Sequence, residues 1–371
     1  MRVRSVGLLA AGAVVALTVG ACGGGDTPAT SSSSTSSAAA SAGKVGVILP
    51  DTASSVRWET ADRPFLEAAF KAAGIESDIQ NAQNDKAKFV TIAEGMIASK
   101  VNVLVITNLD SDTGATVIKK ATDAGVPVID YDRLTLGGGA KYYVSFDNVA
   151  VGTTIGEGLV KCLQAGGKTT GGVVELDGSP TDNNATLFKQ GYDKVIKGAG
   201  YTVVAQQAVP EWNNTQAGTL FEQIFTKNKG KFVGVASAND GLGGAVISVL
   251  ARNGLAGQIP VTGQDASDEG LQQILLGTQC MTVYKAVKKE ADAASQLAIA
   301  LAKGDTAAAD ALATGKTKDT TSNADVPSIL LTPQSITKEN VKDVITDGYT
   351  TAAKVCTTPE LKTACTAAGI S

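Results

Sequence analysis

Residues 103–133 read VLVITNLDSDTGATVIKKATDAGVPVIDYDR. Val103-Leu-Val-Ile106 is a short apolar run bounded by polar residues, which reads as a strand buried on both faces. Residues 113–124 read as a helix, stopped by Gly125. Val126-Pro-Val-Ile129 is the next strand, and it runs into Asp130-Tyr-Asp-Arg133. Strand, helix, strand is the βαβ unit, whose strands lie parallel with a right-handed crossover.

The same rhythm extends both ways. Upstream, residues 45–49 and 76–80 read as strands, and 63–73 and 86–99 as helices. Downstream, 142–145 reads as a strand. The pattern restarts after Asn148, with helices over 151–164, 184–197, 215–228, 242–253 and 269–276. Strands over 173–176, 201–207, 232–236 and 259–262 alternate with them. Met281-Thr-Val-Tyr-Lys285 then leads into an Ala-rich helix over 288–303. Two α/β units therefore stand end to end, as a chain of 371 residues allows. Residues 306–371 are polar with one apolar stretch, 326–333, and are expected to pack back onto both units.

Composition excludes several functions. Lys and Arg number 32 against 36 Asp and Glu, so there is no basic surface for nucleic acid. Histidine is absent, which removes every mechanism with a His base and every His-ligated metal. No metal site or cofactor is expected. Arg2 and Arg4 precede an apolar run over 6–20, shorter than the roughly 20 residues of a membrane span. Val19-Gly20-Ala21-Cys22 resembles the lipobox of bacterial lipoproteins. Residues 1–21 are thus expected to be a signal peptide and Cys22 the lipidated N-terminus. Residues 22–43, rich in Ser, Gly and Ala, read as a disordered tether. Without Arg2 and Arg4 the body holds 30 basic against 36 acidic residues. The expectation is an exported protein, lipid-anchored to the outer face of the cell membrane. Among the other cysteines, Cys356 and Cys365 lie close enough in sequence to bridge, whereas Cys162 and Cys280 are either a second bridge or two buried thiols.

Ligands in open parallel sheets bind beyond the carboxyl ends of the strands. Here those ends carry Asp51, Arg57-Trp58, Thr107-Asn108, Asp130 to Arg133 and Ser145 to Asn148. In the second unit they carry Asp177 to Asn184, Pro210-Glu-Trp212, Ala238-Asn-Asp240, Gly263-Gln-Asp265 and Lys285. Asp and Asn at such junctions ordinarily cap helices. Capping does not call for Trp58, Arg133, Trp212 or Lys285. An uncharged polyhydroxylated ligand suits the set: Asp accepts, Arg and Lys donate, Asn does both, and indoles cover the C–H faces of a sugar ring. Gly137-Gly-Gly139 lacks the strand–helix context of a phosphate loop.

At these junctions the sequence resembles the periplasmic sugar-binding proteins of ABC importers, from about Lys44 to Tyr349. The matching segments include Arg57-Trp58 with Asp62-Arg63, Tyr131-Asp-Arg133, Ser145 to Asn148 and Asp182 to Ala185. They continue with Asn239-Asp240, Gly263 to Ala266, Gly277-Thr-Gln279, Met281 to Lys285, and Val326-Pro-Ser to Leu331-Thr-Pro333. Arg57-Trp58 and Met281 to Lys285 are similar to the xylose branch. The resemblance implies an α/β fold of two Rossmann-like lobes, the type I periplasmic binding protein fold, with three hinge crossings near Asn148, Lys285 and Val326. The lobes are then 44–147 plus 286–325, and 148–285 plus 326–371. It implies sugar contacts from Arg57, Trp58, Asp132 and Arg133 on the first lobe. The second supplies Asp182, Asn184, Trp212, Asn239 and Asp265, with Lys285 at the crossing. Three residues separate Arg57-Trp58 from Asp62-Arg63 where the family pattern has two, so the first helix is expected to start differently. Cys280 replaces a small polar residue, and the tail cysteines are an addition.

The implied activity is capture of a monosaccharide, D-xylose first, by closing lobes, with delivery to an ABC permease and its ATPase, as a monomer and without catalysis. A glucose- or galactose-type receptor, or a sensor presenting sugar to a chemoreceptor or sensor kinase, uses the same site. A sugar-responsive repressor needs a helix-turn-helix and a cytoplasmic location. A glycosidase needs a protonated carboxyl, and Arg133 and Lys285 should keep Asp132, Asp182 and Asp265 ionised.

Overall fold

The computed structural model of the chain describes residues 43–370. The expected signal peptide, the lipidated Cys22 and the tether up to residue 42 lie outside the described residues. The strands are β1 (Lys44–Leu49), β2 (Glu76–Asn81), β3 (Val103–Ile106), β4 (Val128–Tyr131), β5 (Tyr142–Phe146), β6 (Gly172–Asp177), β7 (Thr202–Ala208), β8 (Gly234–Ser237), β9 (Thr282–Tyr284), β10 (Gly315–Lys318), β11 (Asp325–Leu331) and β12 (Gln334–Ile336). The main helices are α1 (Arg63–Ala72), α2 (Lys86–Ala98), α3 (Ser111–Asp123), α4 (Asn148–Ala165), α5 (Asn183–Gly198), α6 (Asn214–Asn228), α7 (Asp240–Arg252), α8 (Asp268–Leu276) and α9 (Val287–Ala302).

One sheet has the order β10-β11-β5-β4-β3-β1-β2, parallel except where β10 meets β11. Its central strands are buried on both faces. Val45, Val47, Val103 and Val105 pack with Leu66, Phe70 and Leu297 of α1 and α9. Ile48, Leu104 and Ile106 turn the other way, onto Phe89 and Met96 of α2 and Val117 of α3. The period-two alternation of a strand explains that division.

The second lobe carries the parallel order β7-β6-β8, continued by bridges Val235–Val261 and Thr262–Met281 and then by the antiparallel pair β9–β12. The expected strand over 259–262 is reduced to those two bridges. The strand expected over 232–236 falls at Gly234–Ser237. Helix α4 lies so close to α5 that a Cβ on Gly152 would meet the Phe188 carbonyl oxygen at 2.0 Å. That approach presents the start of α5 to the cleft. Cys162 of α4 is bonded to Cys280 ahead of β9, and Cys356 to Cys365 in the tail.

The third crossing departs from expectation. It lies beyond Leu331, not near Val326. Val326 sits inside β11, whose Ser328 to Leu331 pair with Tyr143 to Phe146 of β5. A strand needs its backbone partners, so the chain leaves the first sheet only where pairing ends. There Asp147 N donates to Leu331 O at 2.9 Å, linking two crossing segments. Residues Trp58–Asp62 form a π-helical turn that leads into α1.

Candidate ligand-binding cleft

Between the carboxyl ends of the two sheets lies a cavity at which the two lobes meet. Arg57, Trp58, Asp132, Arg133, Asp182, Asn184, Trp212, Asn239, Asp265 and Lys285 all line it. Of the other strand-end residues, Gln264 also lines it and the rest stand outside. Asp51 stabilises the loop after β1 by accepting from Ala53 N at 2.7 Å and Ser54 Oγ at 2.8 Å. Asp110 and Asp147 cap α3 and α4.

Arg57 is 1% exposed. Its Nε and Nη2 donate to both oxygens of Asp62 at 2.9 Å, Nη2 also reaches Glu290 at 3.0 Å, and Nη1 reaches Asp132 Oδ2 at 3.1 Å. Tyr131 donates to the same Asp62 at 2.6 Å. The guanidinium carbon stands 4.3 Å from the centre of the Trp58 ring, and that of Arg133 5.6 Å, a cation–π arrangement. Trp58 Nε1 donates to Ser54 Oγ at 3.2 Å.

Lys285 Nζ lies 3.1 Å from Asp132 Oδ2 and 3.6 Å from Asp265 Oδ1. Burial works to raise the Asp132 pKa, but Lys285, Arg57 and Arg133 outweigh it and hold the carboxyl well below the usual carboxylate range. Asp132 is therefore an anion and no proton donor. Glu290 moves the other way: burial, with Asp132 close by, pushes its pKa well up.

On the second lobe, capping and lining coincide. Asp182 Oδ1 accepts from Asn184 N at 2.9 Å, while Oδ2 accepts from Trp212 Nε1 at 3.0 Å and lies 3.0 Å from Arg133 Nε. Asn239 Oδ1 caps α7 through Leu242 N at 2.9 Å, and its Nδ2 donates across the cleft to Ser54 O at 3.2 Å. Asn184 Nδ2 crosses to Asp132 Oδ1 at 3.1 Å. Phe188 meets Trp212 edge-on, with centroids 6.4 Å apart. The indole lies against Gly178, where a Cβ would fall 2.1 Å from Cη2; glycine is the residue that admits it. Asp132, Trp212 and Asp265 have φ of 64°, 55° and 99°. Left-handed backbone at non-glycine residues costs energy and clusters at functional sites.

Sequence reasoning missed Ser54, Ser55, Phe188 and Gln264, which also line the cavity. Phe188 lies one helical turn beyond Asn184, and Gln264 adjoins Asp265, so both carried a signal. The partnership of Glu290 with Arg57 had none, because 233 residues separate them.

A family model described as periplasmic binding protein domain matches residues 45–306. The chain is 35% identical over 311 residues to the D-xylose-binding periplasmic protein of Escherichia coli (strain K12), covering 82% of this chain and 90% of that protein. It is 33% identical to the D-xylose-binding periplasmic protein of Haemophilus influenzae, covering 84% and 92%. Among solved structures it resembles a carbohydrate transporter solute-binding protein from Chloroflexus aurantiacus in complex with D-glucose. The TM-score is 0.76 at 29% identity, over 84% of this chain and 97% of that one. With two α/β lobes, three crossings and a cleft at the strand ends, the chain belongs to the type I periplasmic binding protein family.

Proposed function

We propose that this protein is an exported receptor that closes on one aldose, D-xylose first, and delivers it to an ABC importer in the membrane. The observation that carries the reading is the cleft itself. Three cations, three carboxylates, three carboxamides and two indoles converge on one cavity. Each polar type can bond a hydroxyl, and the indoles can cover the ring faces. The two relatives named for D-xylose binding support the choice of sugar. Closure brings both lobes onto the sugar, so binding and closing are one equilibrium. Residues 44–147 with 286–331 are proposed as the first lobe, and 148–285 with 332–371 as the second.

A second reading is a glucose-type receptor, favoured by the D-glucose held by the Chloroflexus aurantiacus structure. Calorimetric titration of the body from Lys44 with D-xylose, D-glucose, D-galactose, D-ribose and L-arabinose separates the two. Tight one-to-one binding of D-xylose alone supports the first reading, and tight D-glucose binding supports the second. Silence from all five refutes both. We also propose that Cys22 carries the lipid anchor; a Cys22→Ser chain that stays with the membrane fraction overturns this.

A further inference from the structure

Gln264 stands in the loop between the bridges of Val261–Thr262 and helix α8, next to Asp265. It is 3% exposed and lines the cavity. Its Oε1 is buried and has no hydrogen-bond partner among the described residues. Two other buried cleft atoms lack a hydrogen bond, Arg133 Nε and Asp265 Oδ1. Each has an opposite charge nearby, Asp182 at 3.0 Å and Lys285 at 3.6 Å. Gln264 Oε1 has neither kind of partner.

The residue is held where it is. Its carbonyl accepts from Asp240 N at 3.0 Å, and Asp265 N donates to Val283 O at 2.9 Å. The Asp240 carboxylate behind the loop takes Thr282 Oγ1 at 2.7 Å, Gln279 Nε2 at 2.8 Å and Ser267 N at 2.8 Å. Asp265 and Ala266 both have positive φ, 99° and 51°. Such a backbone is over-determined by its surroundings, so the point from which the Gln264 side chain leaves the loop is fixed. A buried polar group left without a hydrogen bond costs free energy, and a group that supplies the bond recovers it. A carboxamide turned end for end keeps its shape and offers a donor in place of the acceptor. A hydroxyl answers either.

We propose that Gln264 is a ligand-contacting, specificity-determining residue whose carboxamide hydrogen-bonds one hydroxyl of the bound aldose. The assignment rests on the aldose reading above. The test is calorimetric titration of the wild-type protein, Gln264→Leu and Gln264→Glu with D-xylose and its 2-, 3- and 4-deoxy analogues. Gln264→Leu keeps the side-chain size and should weaken D-xylose about 10- to 100-fold. Gln264→Glu keeps an acceptor and should bind more tightly than the leucine variant. One deoxy analogue should bind the wild-type protein as weakly as D-xylose binds Gln264→Leu, with no further loss in that variant. If every sugar loses the same factor in both variants, or none loses any, the amide touches no hydroxyl and the assignment falls. The Gln264→Glu series against wild type decides the matter even where the leucine variant fails to fold. Absence of binding by the wild-type protein to any aldose overturns the aldose reading and this assignment together.

Discussion

The two walls of the cleft are built differently. On the first lobe Arg57 is bound to Asp62, Asp132 and Glu290, and its guanidinium covers the Trp58 ring. That wall is a closed frame of buried charge. On the second lobe Asp182, Asn184 and Asn239 cap or begin helices with one end and face the first lobe with the other. Arg57 and Arg133 come from the first lobe and Lys285 from a crossing, while the facing wall offers the Asp182 carboxylate as acceptor and the Asn184 and Asn239 amides as donors. Arg57 is thus satisfied within its own wall, whereas Arg133 Nε, Asn184 Nδ2 and Asn239 Nδ2 find their partners across the cleft.

The largest effect tests the frame. Arg57→Ala leaves three buried carboxyl groups without their shared cation, at a cost of about 3–5 kcal/mol. Urea unfolding should show that loss together with loss of sugar binding; unchanged stability would mean that charge does not hold this wall. Next come Trp212→Ala and Arg133→Ala, one from each wall. Each should weaken sugar binding about 100-fold while circular dichroism keeps the α/β signature. If both bind normally, the cleft is not the site.

Stability against pH sharpens the contrast. The depressed Asp132 of the first wall contributes stability above the usual carboxylate range, and this is lost as pH falls below it. Burial pushes Asp240, behind the second wall, up to about 7. It raises Asp130 to about 7, and burial with neighbouring Asp193 and Asp177 raises Glu175 to about 8. Groups raised on folding bind more protons in the native state, so stability should fall as pH rises from about 4 to 8. Melting midpoints across that range check the sign; a rising midpoint contradicts it. The smallest effect lies at the cleft mouth, where Asn84 Nδ2 donates to Glu211 Oε2 at 3.0 Å between the lobes. Asn84→Ala should weaken sugar affinity only a few-fold, because the bond is exposed and worth about 1 kcal/mol. Titration that finds no change would confine closure to the buried contacts.

Much of this was legible because it is local. The run Val103 to Ile106, buried on both faces, announced a parallel sheet. Both Trp residues and the Asp and Asn of the βα turns marked the cleft, since strand direction alone puts those turns at one end of a sheet. The tail was legible only in part. Its apolar stretch was evident, yet β11 enters the first sheet beside β5, and α8 shares a core with Val341, Val344 and Leu361.

The sequence by itself determined the alternation of strand and helix, the composition that excludes histidine chemistry, and the set of polar and indole side chains at the strand ends. These follow from periodicity and residue type, which each segment carries alone. Only the tertiary structure decided where the third crossing falls, that Cys162 joins Cys280, that Glu290 holds Arg57, and that Gln264 lines the cleft with its Oε1 unpartnered among the described residues. Those are relations between residues far apart in the chain, and burial fixes them when the two lobes pack.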